Sequence, residues 1–458
     1  MYNPGVDTIA AVSTPAGRAA ISLIRLSGPD AFKILDKVFK KGGKRSFPLA
    51  YSAFFGSLID PDNNCVVDKV IVTTFIGPHS FTGENTAEIS CHGNPVLVSR
   101  ILAILLKAGA RLAEAGEFSR RAFINGKIDL LEVEALSQLL SAETTTQIQL
   151  AMNQLDGLPS RQIAGFRDRI IAHLVQLEAS LNFPEDAIEA IDEHHLAREL
   201  DSIRKELEIF AENAKNGGLV AGGLKIALIG RPNSGKSSLM NYFLGRDRAI
   251  VTEIAGTTRD TLEETVHIGS IPIKLIDTAG LRDPGDKVEA IGIERTRKAI
   301  DEAFALIGVF DGSRIETIED EQVLRALKES EKPFIIVRNK VDLPQKMDAN
   351  FFAGFEEVGI STLQGIGLPL LVEKLKSILD KSGISNFESM VLLGAQQQNS
   401  LDKALAAIER ACAGIGEIYQ DMLAIELEEA VRELGRITGE TVDLNTLDLI
   451  FERFCIGK

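Results

Sequence analysis

At 458 residues the chain carries roughly three domains' worth of sequence at about 150 residues each, enough to bury a core without disulfide or zinc staples. Apolar residues at 45% and charged residues at 25% exclude the disordered, collagenous and fibrous classes. Lys and Arg number 50 and Asp and Glu 65, a net charge of −15, so contact with a nucleic acid needs a local basic patch rather than the overall field. The longest apolar run, Ile101–Leu106, is closed by Arg100 and Lys107, far short of the ~18–20 residues that span a bilayer. With no secretory signal visible at the start, a cytoplasmic protein is expected. Cys65, Cys91, Cys412 and Cys455 show no C-x-x-C spacing, which argues for reduced thiols and against zinc.

In chain order, Ala19–Leu26, Phe54–Ile59 and Val66–Phe75 read as strands and Pro95–Lys107 as a helix, an α+β domain over 1–120. From 121 to 215 a helical period takes over, with Leu136, Leu139 and Leu140, then Ile170, Leu174, Leu177 and Leu181, then Leu196, Leu200, Ile203 and Leu207 each marking one face. Asn216-Gly217-Gly218 and Gly222-Gly223 read as a linker. Over 222–381 strands and helices alternate, and Leu224–Ile229, Ile271–Ile276, Leu306–Phe310 and Phe334–Asn339 are apolar on both faces, as central parallel strands are. Helical periodicity returns over 382–458. The expected fold is therefore multidomain: an α+β N-terminal domain, an all-α helical domain in two parts, and an α/β P-loop domain inserted between them.

Gly230-Arg231-Pro232-Asn233-Ser234-Gly235-Lys236-Ser237 follows a strand and opens a helix at Ser237–Leu244, the setting in which G-x-x-x-x-G-K-[ST] cradles phosphates. Lys236 is assigned to the β/γ-phosphates and Ser237 to Mg²⁺. Thr258 of Gly256-Thr257-Thr258-Arg259-Asp260 supplies a second Mg²⁺ ligand. Asp277 of Asp277-Thr278-Ala279-Gly280 sits on the metal side and the Gly280 N–H near the γ-phosphate. In Asn339-Lys340-Val341-Asp342 a carboxylate at Asp342 accepts from guanine N1–H and N2–H₂, a donor pair that adenine lacks, and Ser361-Thr362 closes over the base. GTP contacts thus fall on Asn233, Ser234, Gly235, Lys236, Ser237, Ser238, Thr252, Glu253, Ile254, Ala255, Gly256, Thr257, Thr258, Asp277, Thr278, Ala279, Gly280, Asn339, Lys340, Asp342 and Ser361. Leu281 occupies the position where Ras-type proteins orient water with glutamine. Another polar group has to do so, the candidates being Arg282, Asp283, Asp286 and Glu289. Asn233 offers a neutral oxygen suited to a monovalent cation, or else a loop-stabilising hydrogen bond.

These motifs, together with Gly292-Ile293-Glu294-Arg295, Ile24-Arg25-Leu26-Ser27-Gly28, Phe81-Thr82-Gly83-Glu84, Gly116–Phe123 and Phe454-Cys455-Ile456-Gly457-Lys458, resemble the MnmE (TrmE) family of tRNA modification GTPases over essentially the full length. The resemblance implies a GTPase activated by K⁺ when two G domains meet, with Asn233, Thr252, Ile254 and Thr257 holding the ion and Glu289 orienting water. It implies an N-terminal domain that dimerises and binds 5-formyl- or methylene-tetrahydrofolate through Arg25, Glu88, Lys127 and Lys458. Cys455 is implied to serve the tRNA chemistry, with packing as the alternative. The implied partners are a second copy of the chain, tRNA and the FAD protein MnmG, in a heterotetramer that modifies C5 of wobble uridine. Two positions depart from the family pattern: Asn94 after Cys91-His92-Gly93, where a second glycine is commoner, and Ser361-Thr362-Leu363, where Ser-Ala-Lys is. Competing readings are a ribosome-assembly GTPase of the Era or Der kind, disfavoured by the lack of a G-x-x-G beside basic residues after Ser382, and a one-carbon enzyme with a regulatory G domain.

Overall fold

The computed structural model describes residues 7–41, 51–182, 192–247, 263–268, 271–277, 297–384, 389–441 and 457. The chain forms two compact units, one from Met1–Leu140, Gln154–Leu207 and Gly394–Lys458, the other from Ser141–Asn153 and Glu208–Leu393.

The first unit holds a seven-stranded sheet in the order β3-β4-β5-β6-β2-β1-β7. Its strands are β1 (Ile9–Val12), β2 (Ile21–Ser27), β3 (Phe39–Lys41), β4 (Ser52–Ile59), β5 (Val66–Phe75), β6 (Thr86–His92) and β7 (Arg111–Leu112). All neighbours are antiparallel except β1 and β7. Helices α1 (Ala31–Val38) and α2 (Pro95–Ala108) contribute Ile34, Leu35, Ile101 and Leu105 to the core beside Ile24, Val72 and Ile89. The unusual Asn94 has a physical reason: its side chain accepts from the backbone N–H groups of Val96 and Leu97 and caps α2. Cys91 is core, buried against the Ser22 carbonyl, and burial pushes its thiol up to about 11, which makes it inert at neutral pH.

The helical portion of this unit comprises α3 (Glu117–Ile124), α4 (Leu130–Ser141), the last two residues of α5 (Thr145–Leu155), α6 (Leu158–Asn182), the first half of α7 (Glu193–Gly222), and the helices Ala395–Gly414 and Gln420–Thr438. Leu196, Leu200, Ile203 and Leu207 are all buried, as their spacing predicts. The α4 face is different from the expected one. Leu130, Leu131, Val133 and Ala135 go inward while Leu140 is 58% exposed, because the helix starts at Leu130 and its first turns carry the packing. The linker reading at Gly217-Gly218 and Gly222 is also corrected: α7 runs unbroken to Gly222. The helix carries glycine at 217 because a Cβ there would meet the Val391 carbonyl oxygen at 2.1 Å; close backbone approach outweighs the ~1 kcal/mol that glycine costs a helix.

The second unit is built on a six-stranded sheet, β13-β12-β11-β8-β10-β9, from β8 (Leu224–Ile229), β9 (Glu263–Ile268), β10 (Ile271–Asp277), β11 (Ala305–Asp311), β12 (Phe334–Asn339) and β13 (Glu357–Ile360). Five strands are parallel and β9 alone runs antiparallel to its neighbour. Alternate residues of β8 face opposite cores, Ile226 and Leu228 one side, Ala227 and Ile229 the other. That two-sided burial is why these strands read as continuous apolar runs. Among the described residues no helix is long and apolar enough to cross a membrane.

Candidate functional site

The carboxyl ends of the parallel strands carry the nucleotide motifs, as open α/β sheets generally place ligands there. Between β8 and α8 (Lys236–Asp247) the loop turns through Asn233 at φ +62° and Gly235 at φ +104°. A Cβ on Gly235 would fall 2.0 Å from Asn339 Nδ2, so the glycine is dictated by the residue that ends β12 as well as by its backbone angle. Lys236 is 4% exposed, and its ammonium donates to the carbonyls of Gly230 (2.6 Å) and Arg231 (2.8 Å). Ser234 is buried, whereas Ser237 and Ser238 lie exposed in the first turn of α8, which has no acidic residue to repel an anion.

At the end of β12, Asn339 Nδ2 donates to the Ser234 carbonyl (2.9 Å) and its Oδ1 accepts from Lys340 N (2.8 Å) and Thr362 N (3.4 Å). Lys340, at φ +64°, reaches back to the Asn233 carbonyl (3.0 Å) and to Asp311 Oδ2 (2.6 Å). Buried Ser361 accepts from Gln364 N (3.1 Å), and half-buried Asp342 follows Lys340 by two residues. Asp277 closes β10 opposite Leu228 of β8. The described motifs therefore converge. Thr252, Glu253, Ile254, Ala255, Gly256, Thr257 and Thr258, with Thr278, Ala279, Gly280 and Glu289, lie outside the described residues, as do Cys455 and Lys458.

Asp311 is a participant that motif reading missed. It ends the all-buried strand Ala305–Asp311, and a lone carboxylate closing an apolar run is the signal that could have flagged it. Burial works to raise its carboxyl, but hydrogen bonds from Lys340 and Ser313 outweigh that and hold it below the ordinary 3.8. It thereby fixes the lysine that spans the phosphate loop.

In the first unit Arg25 on β2 and Glu88 on β6 are cross-strand partners. Arg25 donates through Nε (3.0 Å) and Nη2 (2.8 Å) to the same oxygen, Glu88 Oε1. The guanidinium lies 5.5 Å from the Phe81 ring centroid and 5.6 Å from that of Phe118. Exposed Lys127 runs its stem past Gly83, with a Cβ built there 3.2 Å from Lys127 Cγ. Near the other end of the chain, Ser13 Oγ donates to the Gly457 carbonyl (3.1 Å). A group that the motifs left out lies beside this pair: Arg121, Arg111, Asp7, Glu84 and Glu117 are joined by ion pairs. Burial tends to raise Asp7 and Glu117, yet hydrogen bonds from both arginines hold each below its ordinary value of 3.8 and 4.5. A depressed carboxyl stabilises the fold above its unfolded value and loses that contribution as pH falls through its lower folded value. Resistance to urea unfolding should fall as pH drops below those ordinary values, and fall less in Arg121→Met; identical pH profiles would remove the ion group from the explanation.

The chain matches the family described as MnmE helical domain over residues 130–455 and that described as GTP-binding protein TrmE N-terminus over residues 8–127. It is 38% identical over 459 residues to the tRNA modification GTPase MnmE of Acetivibrio thermocellus, covering 99% of each chain. It is 40% identical to that of Ligilactobacillus salivarius, covering 99% of this chain and 98% of the relative. The chain belongs to the MnmE family of tRNA modification GTPases. Like the family, it is a GTP hydrolase, with Mg²⁺ as the ion that GTP chemistry requires. Among solved structures it is similar to the G domain of the T. maritima FeoB iron transporter, at 27% identity over 35% of this chain and 98% of that one, with a TM-score of 0.26.

The donor sets suit the ligands that the MnmE family implies. For GTP, a helix start without acid, a buried lysine and exposed serine hydroxyls are the groups that phosphate and Mg²⁺ need. Of the oxygens assigned to K⁺, that of Asn233 falls in the described residues; its exposed side chain hydrogen-bonds no other described residue. For a folate, Glu88 Oε2 has no partner among the described residues, since both Arg25 nitrogens take Oε1. That oxygen can accept a pterin N–H, and Lys127 offers a cation for the carboxylate tail.

Proposed function

We propose that this chain is a K⁺-activated GTPase that works in the cytoplasm as a homodimer. With MnmG it installs an aminomethyl or carboxymethylaminomethyl group at C5 of the wobble uridine of tRNA, using a tetrahydrofolate one-carbon unit. The reading partitions the chain at 1–120 for folate and dimerisation, 121–215 and 382–458 for the helical domain, and 222–381 for the G domain. It keeps the GTP, Mg²⁺, K⁺ and folate residues as assigned from the sequence. The observation that carries it is the phosphate loop itself: Asn233 turned through φ +62° with its side chain exposed, in a chain whose DTAG is followed by leucine.

In this reading Lys236 leaves its two carbonyl partners to take the β/γ-phosphates, Ser237 and Thr258 ligate the metal, and Asn339 and Asp342 hold the guanine. A cation beside Asn233 supplies the charge neutralisation that an arginine finger gives elsewhere. Glu88 and Lys127 orient the folate, and Cys455 stands as proton donor or nucleophile toward the uridine. Replacing Na⁺ by K⁺ at constant ionic strength should raise the GTPase rate steeply in the wild type and not in Asn233→Ala; equal rates in both salts sink the cation role. Nucleoside analysis of tRNA from a deletion strain, expected to lack the C5 group, tests the modification.

A further inference from the structure

One guanidinium ties together the elements that shape the Arg25–Glu88 pair. Arg121, on α3, is 0% exposed. Its Nη1 donates to both carboxylate oxygens of Glu84 (3.2 and 3.1 Å) and to the Asp7 carbonyl (3.0 Å), and its Nη2 to Glu117 Oε1 (2.9 Å) and Asp7 Oδ1 (2.8 Å). Glu84 follows Phe81 by three residues in the loop between β5 and β6, and Glu117 directly precedes Phe118. These are the two aromatic rings beside Arg25. Phe81 is 37% exposed and Phe118 fully buried, so the Phe81 side of the sandwich depends on how the loop is held.

The loop is held over the strand that bears Arg25. Ser27, two residues along β2 and therefore on the same face, donates to Glu84 Oε2 (2.7 Å) and shares a hydrogen bond with Thr82 Oγ1 (2.7 Å). Asn125 Nδ2 donates to the Thr82 carbonyl (2.6 Å), which brings the Lys127 stem against Gly83. Arg25 and Lys127 thus border residues 81–84, Glu88 is tied to them through Arg25, and Arg121 anchors that segment to α3. Removal of a fully buried arginine leaves Glu84, Glu117 and Asp7 with less opposing charge; Asp7 and Glu117 keep Arg111, so the tie of Glu84, and with it that of the loop, is the one weakened most.

We propose that Arg121 is a positioning residue for the one-carbon ligand: by clamping Glu84 and Glu117 together it sets the Phe81–Arg25–Phe118 stack and so the direction in which Glu88 presents its open oxygen. The proposal rests on the assignment of Arg25 and Glu88 to a folate, and the experiment separates the two. The chain contains no tryptophan, so Phe81→Trp installs a single indole, at the loop, that can be excited apart from the four tyrosines. In that background Arg121→Lys keeps a buried cation but has no fork to bridge three carboxylates. Acrylamide quenching of the introduced indole in the ligand-free protein should rise about twofold as the loop releases, and the Kd for 5-formyltetrahydrofolate by calorimetry should rise about tenfold, the scale of lost pre-organisation.

Circular dichroism and the melting temperature report the fold separately. A folded Arg121→Lys protein with unchanged quenching and unchanged folate affinity overturns the proposal. Raised quenching together with an Arg25→Met protein that binds folate as the wild type does would overturn the folate assignment and with it the ligand role of Arg121. Should Arg121→Lys not fold, Glu84→Gln, which cuts the loop's tie alone, is read by the same two measurements with the same expected and contrary results.

Discussion

Gly235→Ala should weaken GTP binding by at least about 100-fold while the chain still folds. An L-residue at φ +104° is strained by about 1–3 kcal/mol, and that is the smaller part. The new Cβ would sit 2.0 Å from Asn339 Nδ2, so the amide must leave the Ser234 carbonyl that it now holds at 2.9 Å. Displacing Asn339 also disturbs Lys340 N and Thr362 N, which donate to its Oδ1. One methyl group thus distorts the phosphate loop and the guanine site together, and about 3 kcal/mol corresponds to a factor of about 150 in Kd. Gly245→Ala in α8 is the matched control, because a Cβ there meets nothing within 4 Å. Calorimetric titration with GDP decides it: a Gly235→Ala protein within threefold of wild type would show that the loop relaxes more cheaply than its geometry says.

Glu289→Ala should lower turnover of bound GTP by about 10²–10⁴-fold, the range a positioned acid–base group contributes, with nucleotide affinity unchanged. The Leu281 side chain has no polar atom to hold the attacking water, and in the proposed reading Lys236, Ser237 and Thr258 are taken up by phosphate and metal. A carboxylate twelve residues beyond Asp277 is the polar group that the family resemblance selects. Single-turnover hydrolysis and nucleotide affinity, measured on the same protein, separate chemistry from binding. Glu289→Gln adds a second arm: partial activity means the side chain orients water, and none means that it must carry charge. Loss of affinity in Glu289→Ala would reassign the residue to structure.

Parts of the fold were legible because they are written in local chemistry. Val66–Phe75 and Phe334–Asn339 are strands with the bounds their apolar runs suggest, and Pro95 opens a helix, as a proline at the first helical position does. Gly217, Gly218 and Gly222, which read as linker, lie instead in a helix, and only Gly223 falls beyond its end. Composition cannot tell a flexible Gly-Gly from one that lets a helix approach the backbone at Val391, and Gly217 is the second kind. On α4, Leu139 and Leu140 carry the same hydropathy as Leu130 and Leu131, so periodicity alone had no means of choosing which pair goes inside.

The same division runs through the sites. The phosphate loop, the guanine motif and the leucine after DTAG are contiguous strings, and short strings carry their chemistry through backbone geometry that neighbouring residues impose, so they were readable without coordinates. Asp311 under Lys340, Asn339 against Gly235, and Arg121 bridging Asp7, Glu84 and Glu117 join residues that, Glu117 aside, lie from 29 to 114 positions apart. No local pattern encodes such pairs. They exist because sheet order and strand register bring distant residues together; for the buried charges among them, Arg121 and Asp311, a lone ion would be prohibitively costly and a partner of opposite charge makes burial possible.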